Sequence, residues 1–168
     1  MRYAAPSLVK GFTMKSLWGR RLATIAMFVN AVPIEAQYSV QPNIFPPGTF
    51  FVDGIPVGCG GVTFVLDPNL NDVGQAAPGI IRLNPNVLGA LPTTLKLFWV
   101  SHECGHHVVG FSENAADCWA IRLGRDQGWF PPKAFDEMIA MFRNNPGDFS
   151  HAPGPVRVQN MINCYRAP

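Results

Sequence analysis

The sequence predicts an α+β fold, in which a small, mostly antiparallel sheet is followed by a helical half. Three observations lead to this prediction. Strand-like segments are confined to about residues 49–84, an uninterrupted helical pattern follows in "PTTLKLFWVSHECGHHVVG", and three shorter helical segments complete the chain. The 168 residues have the usual size of a single domain and are enough to bury a core.

Turn residues mark each predicted strand. In "TFFVDGIPV", Asp-Gly between two apolar triplets predicts a hairpin. "GGVTFVLDPN" and "PGIIRLNPN" each predict a strand that is closed by a turn. The segment before them, residues 37–48, is rich in proline and shows no period, so we interpret it as a linker or surface-wrapping arm. The folded domain is therefore expected over residues 49–168.

The first predicted helix begins after Pro92, with Thr93 and Thr94 as possible caps, and ends at Gly110. A second helix, "ENAADCWAIRLGRDQG", is expected to begin near Ser112, which is a good N-cap. The segment "PPKAFDEMIAMFRNN" predicts a third helix and "PGPVRVQNMINCY" a shorter fourth, each with proline at its start.

Residues 1–36 have the pattern of a secretory signal peptide. Basic side chains, the last of them Arg20 and Arg21, precede the apolar run "LATIAMFV", and the small residue Ala36 closes the segment. The apolar stretch covers about a dozen residues, whereas a membrane-spanning helix needs about 20. We therefore expect an exported protein, periplasmic or secreted, without a stable membrane anchor after cleavage; a retained anchor is the alternative.

The charge balance argues against nucleic-acid binding. The whole chain has a net charge of +2 at pH 7, but five of its 13 basic and one of its 11 acidic residues lie in residues 1–36. The remaining chain has eight basic and ten acidic residues, and it contains no basic patch of the kind that binds nucleic acid.

All four cysteines, Cys59, Cys104, Cys118 and Cys164, lie outside the predicted signal peptide. An even number of cysteines in an exported domain predicts two disulfides, for which three pairings are possible. We favour Cys118 with Cys164 and Cys59 with Cys104, and buried thiols are the alternative. Cys104 is rotated about 200° from His102 on a helix and is therefore expected to face the core.

The segment "HECGH" contains the ligand types of a metal site. His102 and His106 are four residues apart, so on a helix their imidazoles project from one face and can converge on one cation. Glu103 lies about 100° around the helix, where it can take a proton from a metal-bound water. This is the H-E-x-x-H arrangement of zinc proteases, and three protein ligands on zinc leave one position open for water.

A third ligand is expected from the second helix, since Gly110 can turn the chain back towards the histidines. Glu113 and Asp117 share one face of that helix. We favour Glu113 as the ligand for its longer reach and Asp117 as the acceptor for the free N–H of a ligand histidine; the reverse assignment is the alternative. His107 is expected beside the site or on the surface, with metal binding as its alternative.

A donor for the developing oxyanion is also needed. We favour His151, in "SHAPGP", as this second catalytic residue, although an ordinary loop histidine fits the same pattern. Tyr165 and Arg157 are weaker candidates, because both fit an ordinary packed or solvated helix. The strand "GIIRL" can pair with an extended peptide or lie in the core, and Trp99 is expected in the core.

"HECGHH" followed by "ENAADCWA" resembles the zincin-type metallopeptidases, in particular the gluzincins, in which H-E-x-x-H is followed by a helix bearing glutamate and, four residues later, aspartate. "A-D-C-x-A" is similar to small bacterial neutral zinc metallopeptidase-like proteins. The resemblance covers about 20 of 168 residues. It implies His102, His106 and Glu113 as zinc ligands and Glu103 as general base. Only six residues separate His106 from Glu113, far fewer than gluzincins usually have.

The expected function is therefore that of an exported zinc-dependent metallopeptidase, which acts on a peptide or protein substrate with Glu103 as general base. The alternative is a zincin-fold binding or structural module of the cell envelope, which keeps the metal without turnover. The small size of the domain and the unusual spacing between His106 and Glu113 motivate this alternative.

Overall fold

A computed structural model of the chain describes residues 43–168. The predicted signal peptide, residues 1–36, and the first half of the predicted arm lie outside this range. Within it, the expected α+β class is confirmed. The strands β1 to β6 are Asn43–Phe45, Phe51–Val52, Ile55–Pro56, Thr63–Leu66, Gly74–Ala77 and Ile80–Leu83. The helices α1 to α5 are Pro85–Gly89, Thr93–Val109, Glu113–Asp126, Ala134–Phe142 and Gly154–Arg166.

The main sheet has four strands in the order β1-β4-β6-β5. β1 pairs antiparallel with β4, and β5 pairs antiparallel with β6, while β4 and β6 are parallel. "GIIRL" therefore forms the internal strand β6, so it cannot receive a peptide along its edge. Among the described residues, the free edge nearest to α2 belongs to β5, "GQAA", which the sequence did not reveal because glycine and alanine are poor strand formers.

The predicted hairpin is confirmed in β2 and β3. Asp53 and Gly54 both have positive φ, 48° and 86°, as a tight two-residue turn requires. The Asp53 carboxylate accepts hydrogen bonds from Thr93 Oγ1 (2.6 Å) and Lys96 Nζ (3.0 Å) on α2. The Thr93 side chain thus binds the hairpin and does not cap α2. Pro92 occupies the N-cap position, without a side-chain hydrogen bond.

Two short elements were not expected from the sequence. β1 lies inside the proline-rich segment that we interpreted as an arm without regular structure. It is an edge strand of three residues that ends before Pro46, where proline costs no sheet hydrogen bond. The single-turn helix α1 follows Asn84, whose side chain accepts hydrogen bonds from the backbone N–H groups of Asn86 and Val87.

The helix ends that border the site match the predictions. α2 stops at Gly110, which has a φ of 81°, and α3 begins after Ser112, whose Oγ accepts a hydrogen bond from the Ala115 N–H (3.4 Å). α2 contacts the sheet and α3, and α5 packs against α3 and α4. The largest fully buried side chains come from all of these layers, and include Phe64, Ile81, Phe98, Ile121, Met138 and Met161.

α2 and α3 approach closely at Gly105. A Cβ atom at this position would lie 3.0 Å from the Ala116 Cα atom and 3.2 Å from its Cβ atom. Because a larger residue at either position would separate the helices, these two small residues determine how near α3 comes to the histidines of α2.

Both disulfides have the pairing that we favoured. Cys59–Cys104 joins α2 to the segment before β4, and Cys118–Cys164 joins α3 to α5. Cys104 is completely buried, as expected. Two disulfides are consistent with an oxidising, extracytoplasmic compartment. Among residues 43–168, no helix is both long enough and apolar enough to cross a membrane.

We predict that Gly124→Ala destabilises the protein. A Cβ atom on Gly124, within α3, would overlap the buried ring of Phe130. The overlap should outweigh the better helix propensity of alanine and lower the free energy of unfolding by about 1–2 kcal/mol. Urea denaturation of both proteins measures the change.

Gly89→Ala is the matched control, because a Cβ atom there meets nothing within 4 Å. Equal stabilities of the Gly124→Ala variant and the wild type would show that the Phe130 ring does not constrain this helix.

Candidate metal centre

Two neighbouring helices bring three ligand side chains together. His102 Nε2 and His106 Nε2, both from α2, are 3.2 Å apart. Glu113 Oε2, from the first turn of α3, lies 3.0 Å from His102 Nε2 and 3.6 Å from His106 Nε2. One ligand atom from each residue lies within 4.8 Å of the other two, so this group could hold a metal ion.

The second nitrogen of each histidine is held by an oxygen atom. His102 Nδ1 lies 2.8 Å from Asp117 Oδ1, and His106 Nδ1 lies 3.0 Å from the carbonyl oxygen of Gly110. When each Nδ1–H donates to its oxygen, the Nε2 lone pair is free for a cation. Asp117 thus lies where an orienting residue is needed, and Glu113 lies where a ligand is needed.

Asp117 is completely buried, and its charge is matched by Arg157 of α5. Arg157 Nε donates to Asp117 Oδ2 (2.8 Å), and Nη2 donates to Oδ1 (2.7 Å). The guanidinium group also lies 4.7 Å from the centre of the Phe142 ring and 5.7 Å from that of Trp99. Arg157, considered above as an oxyanion donor, is therefore a partner of Asp117.

The electrostatics of this cluster favour positive charge between the carboxylates. Burial lowers the pKa of His102, but hydrogen bonds with Asp117 and Glu113 outweigh it and raise the pKa to about 9. Burial raises the pKa of Asp117, yet the hydrogen bonds from Arg157 and His102 hold it below the usual value. Since a metal ligand histidine must be neutral, a cation bound here would displace a proton from His102.

Glu103 lies beside the histidine pair and faces β5. Its side chain is only 5% exposed, and burial raises the pKa of its carboxyl. A Cβ atom on Gly74 would lie 2.7 Å from Glu103 Cγ, so the carboxylate packs directly against the bare backbone of β5. Nothing in the local sequence of Gly74 indicates this contact, because the two residues are 29 positions apart.

The three ligands and Glu103 line a cleft with a volume of about 330 Å³. Gly74, Gln75 and Ala76 of β5 form one side of it, and the segment 145–151 contributes Asn145, Asp148 and His151. Trp99 packs against the core, as expected, but it is only partly buried because it also lines the cleft. Its ring meets that of His102 edge-on, with 5.7 Å between their centres.

Two of the proposed oxyanion donors, His151 and Arg157, line the cleft, but only Arg157 is paired with Asp117. The His151 Nε2 atom lies 3.0 Å from Glu113 Oε2, and its Nδ1 atom lies 3.0 Å from Asp148 Oδ1. Backbone N–H groups of His151 and Ser150 donate to Asp148 and hold the pKa of that carboxyl well below its usual range. Tyr165 does not line the cleft, and its hydroxyl donates to the Phe130 carbonyl.

His107 does not belong to the ligand group. It is partly buried, does not line the cleft, and its Nε2 atom has no hydrogen-bond partner among the described residues. This is the position beside the site that we expected, one step around α2 from His106.

Comparison of the sequence with protein-family models and with curated proteins, and of the fold with solved structures, gives no match.

Proposed function

We propose that this chain is an exported zinc-dependent metallopeptidase, which hydrolyses peptide bonds in a peptide or protein substrate. The observation that carries the proposal is the convergence of His102 Nε2, His106 Nε2 and Glu113 Oε2 beside a buried Glu103. The zincin resemblance of "HECGHH" and "ENAADCWA" points to the same chemistry.

The donor set fits zinc better than the common hard cations. Two imidazole nitrogens and one carboxylate oxygen form the His₂Glu set of catalytic zinc sites, and they leave one coordination position open. Calcium and magnesium require mostly oxygen ligands, and magnesium usually keeps several of its waters. His102, His106 and Glu113 would hold a zinc ion, which would supply a water of lowered pKa and polarise the substrate carbonyl.

The roles of the protein residues follow from their positions. Glu103, whose pKa is raised by burial, accepts the proton of the attacking water and passes it to the leaving amine. His151, which Asp148 holds at the cleft, donates a hydrogen bond to the carbonyl oxygen as negative charge develops on it. Asp117 and Arg157 keep the His102 ring in its orientation.

The edge strand β5 supports a polypeptide as the substrate. The Val73 carbonyl accepts a hydrogen bond from the Asn84 N–H (3.0 Å), so Gln75 and Ala77 also bond towards β6 in the alternating antiparallel register. The backbone groups of Gly74 and Ala76 then point away from β6, and both residues line the cleft. An extended peptide can pair with these free groups beside Glu103.

The second candidate function is a metal-binding module of the cell envelope without turnover. One observation favours it: His151 Nε2 lies 3.0 Å from the proposed ligand atom Glu113 Oε2. If His151 also bound the metal, four protein ligands would close the position that a reacting water needs.

The first prediction from the proposed function concerns metal binding. The wild-type protein should bind one equivalent of zinc. His106→Ala should weaken zinc binding by at least about a hundredfold, because substitution of a residue that only hydrogen-bonds to a metal ligand already lowers metal affinity by up to about this factor. Isothermal titration with zinc measures both values. His107→Ala, on the same helix but outside the ligand group, should bind zinc like the wild type. Unchanged affinity in His106→Ala would remove this residue from the metal site.

The second prediction concerns the general base. Glu103→Gln should retain one equivalent of zinc and lose about 10²–10⁴-fold in kcat, because the amide cannot accept the proton. Hydrolysis of a broad fluorogenic peptide library by zinc-loaded, disulfide-intact protein measures the loss. Glu137→Gln on the exposed side of α4 is the control. Full turnover by Glu103→Gln would exclude the proposed base, and a zinc-loaded wild type without turnover would favour the binding module.

The third prediction concerns the backbone beside the base. Gly74→Ala should displace the Glu103 carboxylate and lower kcat about tenfold or more, since small misplacements of reacting groups are costly. Zinc stoichiometry and KM should change little. Gly61→Ala is the control, because a Cβ atom there meets nothing within 4 Å. A Gly74→Ala enzyme with wild-type kcat would show that Glu103 does not need the bare backbone.

A further inference from the structure

Two phenylalanines, Phe111 in the cleft and Phe149 in the 145–151 segment beside it, are almost completely exposed. Phe111 is 93% exposed and Phe149 is 108% exposed, whereas the other exposed large apolar side chains range from 37% to 58%. Phe111 lines the cleft itself, and Phe149 lies between Asp148 and His151, which also line it. Of the two most exposed large apolar side chains among residues 43–168, one therefore lines the cleft and the other lies in a segment that contributes to it.

Packing within the domain does not explain why phenylalanine occupies either position. Phenylalanine is among the residues most often buried, and neither Phe111 nor Phe149 belongs to the core. Phe111 follows Gly110 in the short connection between α2 and α3, and Phe149 lies in a turn held by hydrogen bonds to Asp148. Neither ring contributes to the core, so both aromatic side chains are available for a contact outside the domain.

We propose that Phe111 and Phe149 form an aromatic rim that selects polypeptides with apolar side chains next to the scissile bond. This inference rests on the proposed peptidase function and specifies its substrate class. The peptide backbone lies along β5 and in the polar cleft, while its apolar side chains pack on the two rings.

A polypeptide fits this rim better than a lipid surface or a second copy of the chain. Glu113 lies two residues after Phe111, and Asp148, whose side chain is 62% exposed, directly precedes Phe149. Pressing both rings into a bilayer or an apolar interface would remove water from the Asp148 carboxylate without providing a new partner. An extended peptide can place an apolar side chain against each ring while water still reaches the carboxylates.

The test compares two fluorogenic peptides that differ only in phenylalanine or serine on both sides of the scissile bond. Phe111→Ser and Phe149→Ser should each lower kcat/KM for the phenylalanine peptide about fivefold, and leave that for the serine peptide nearly unchanged. Phe51→Ser is the matched control, because Phe51 is 57% exposed but lies on the β2–β3 hairpin at another groove.

A binding measurement separates the rim from the chemistry. In zinc-loaded Glu103→Gln protein, the anisotropy of the labelled phenylalanine peptide should report a Kd that rises about fivefold with each rim substitution. If the zinc-loaded wild type cleaves neither peptide and still binds the phenylalanine peptide more tightly in a way that depends on the rim, the peptidase assignment is wrong. The assignment of the rim as a site for apolar peptide side chains is then retained. If cleavage occurs and the rim variants keep the wild-type preference, the rim proposal fails alone.

Two further outcomes would overturn the choice of occupant. Vesicles containing phosphatidylglycerol that sediment with the wild type but not with the rim variants, while peptide preference stays constant, would assign the rim to a lipid surface. A dimer in light scattering that both rim substitutions dissociate, again with constant peptide preference, would assign the rim to a second copy of the chain.

Discussion

The group that could hold a metal ion depends on the close contact between α2 and α3 at Gly105 and Ala116. His102 and His106 share a helix face by their spacing alone, but the third ligand comes from a different helix. Glu113 is only seven positions after His106, so the chain must reverse within a few residues. Gly110 permits this reversal through its positive φ, and the helix contact then decides whether Glu113 reaches both imidazoles. Six intervening residues are sufficient because the two backbones nearly touch.

Burial of charge imposes the second constraint. A buried carboxylate such as Asp117 is costly unless it is paired and hydrogen-bonded, and here Arg157 and His102 share its two oxygens. Each disulfide is attached one residue from a key carboxylate, since Cys104 follows Glu103 and Cys118 follows Asp117. The covalent links therefore hold the two site helices to the segment before β4 and to α5. This arrangement keeps the polar groups of the site in register in a domain with a small core.

The sequence could predict the parts of the site that are local. The spacing of the two histidines, the helix end at Gly110 and the helix start at Ser112 all act within a few residues of each other. The sequence could not predict contacts between distant segments, because these depend on tertiary packing. Examples are the contact of Arg157 with Asp117, 40 positions apart, and the contact of β5 with Glu103. The sheet shows the same limit, since the pattern identified the strand "GIIRL" but not its internal place. That place depends on β5, whose composition hardly differs from that of a loop.

The position of His151 bears on whether the metal site would have three protein ligands or four. Its two ring nitrogens each face a carboxylate oxygen, Asp148 Oδ1 at 3.0 Å and Glu113 Oε2 at 3.0 Å. His151 also stays outside the group whose atoms lie mutually within 4.8 Å. The described residues therefore offer three ligand atoms in one group, and three protein ligands leave a zinc ion one position for water.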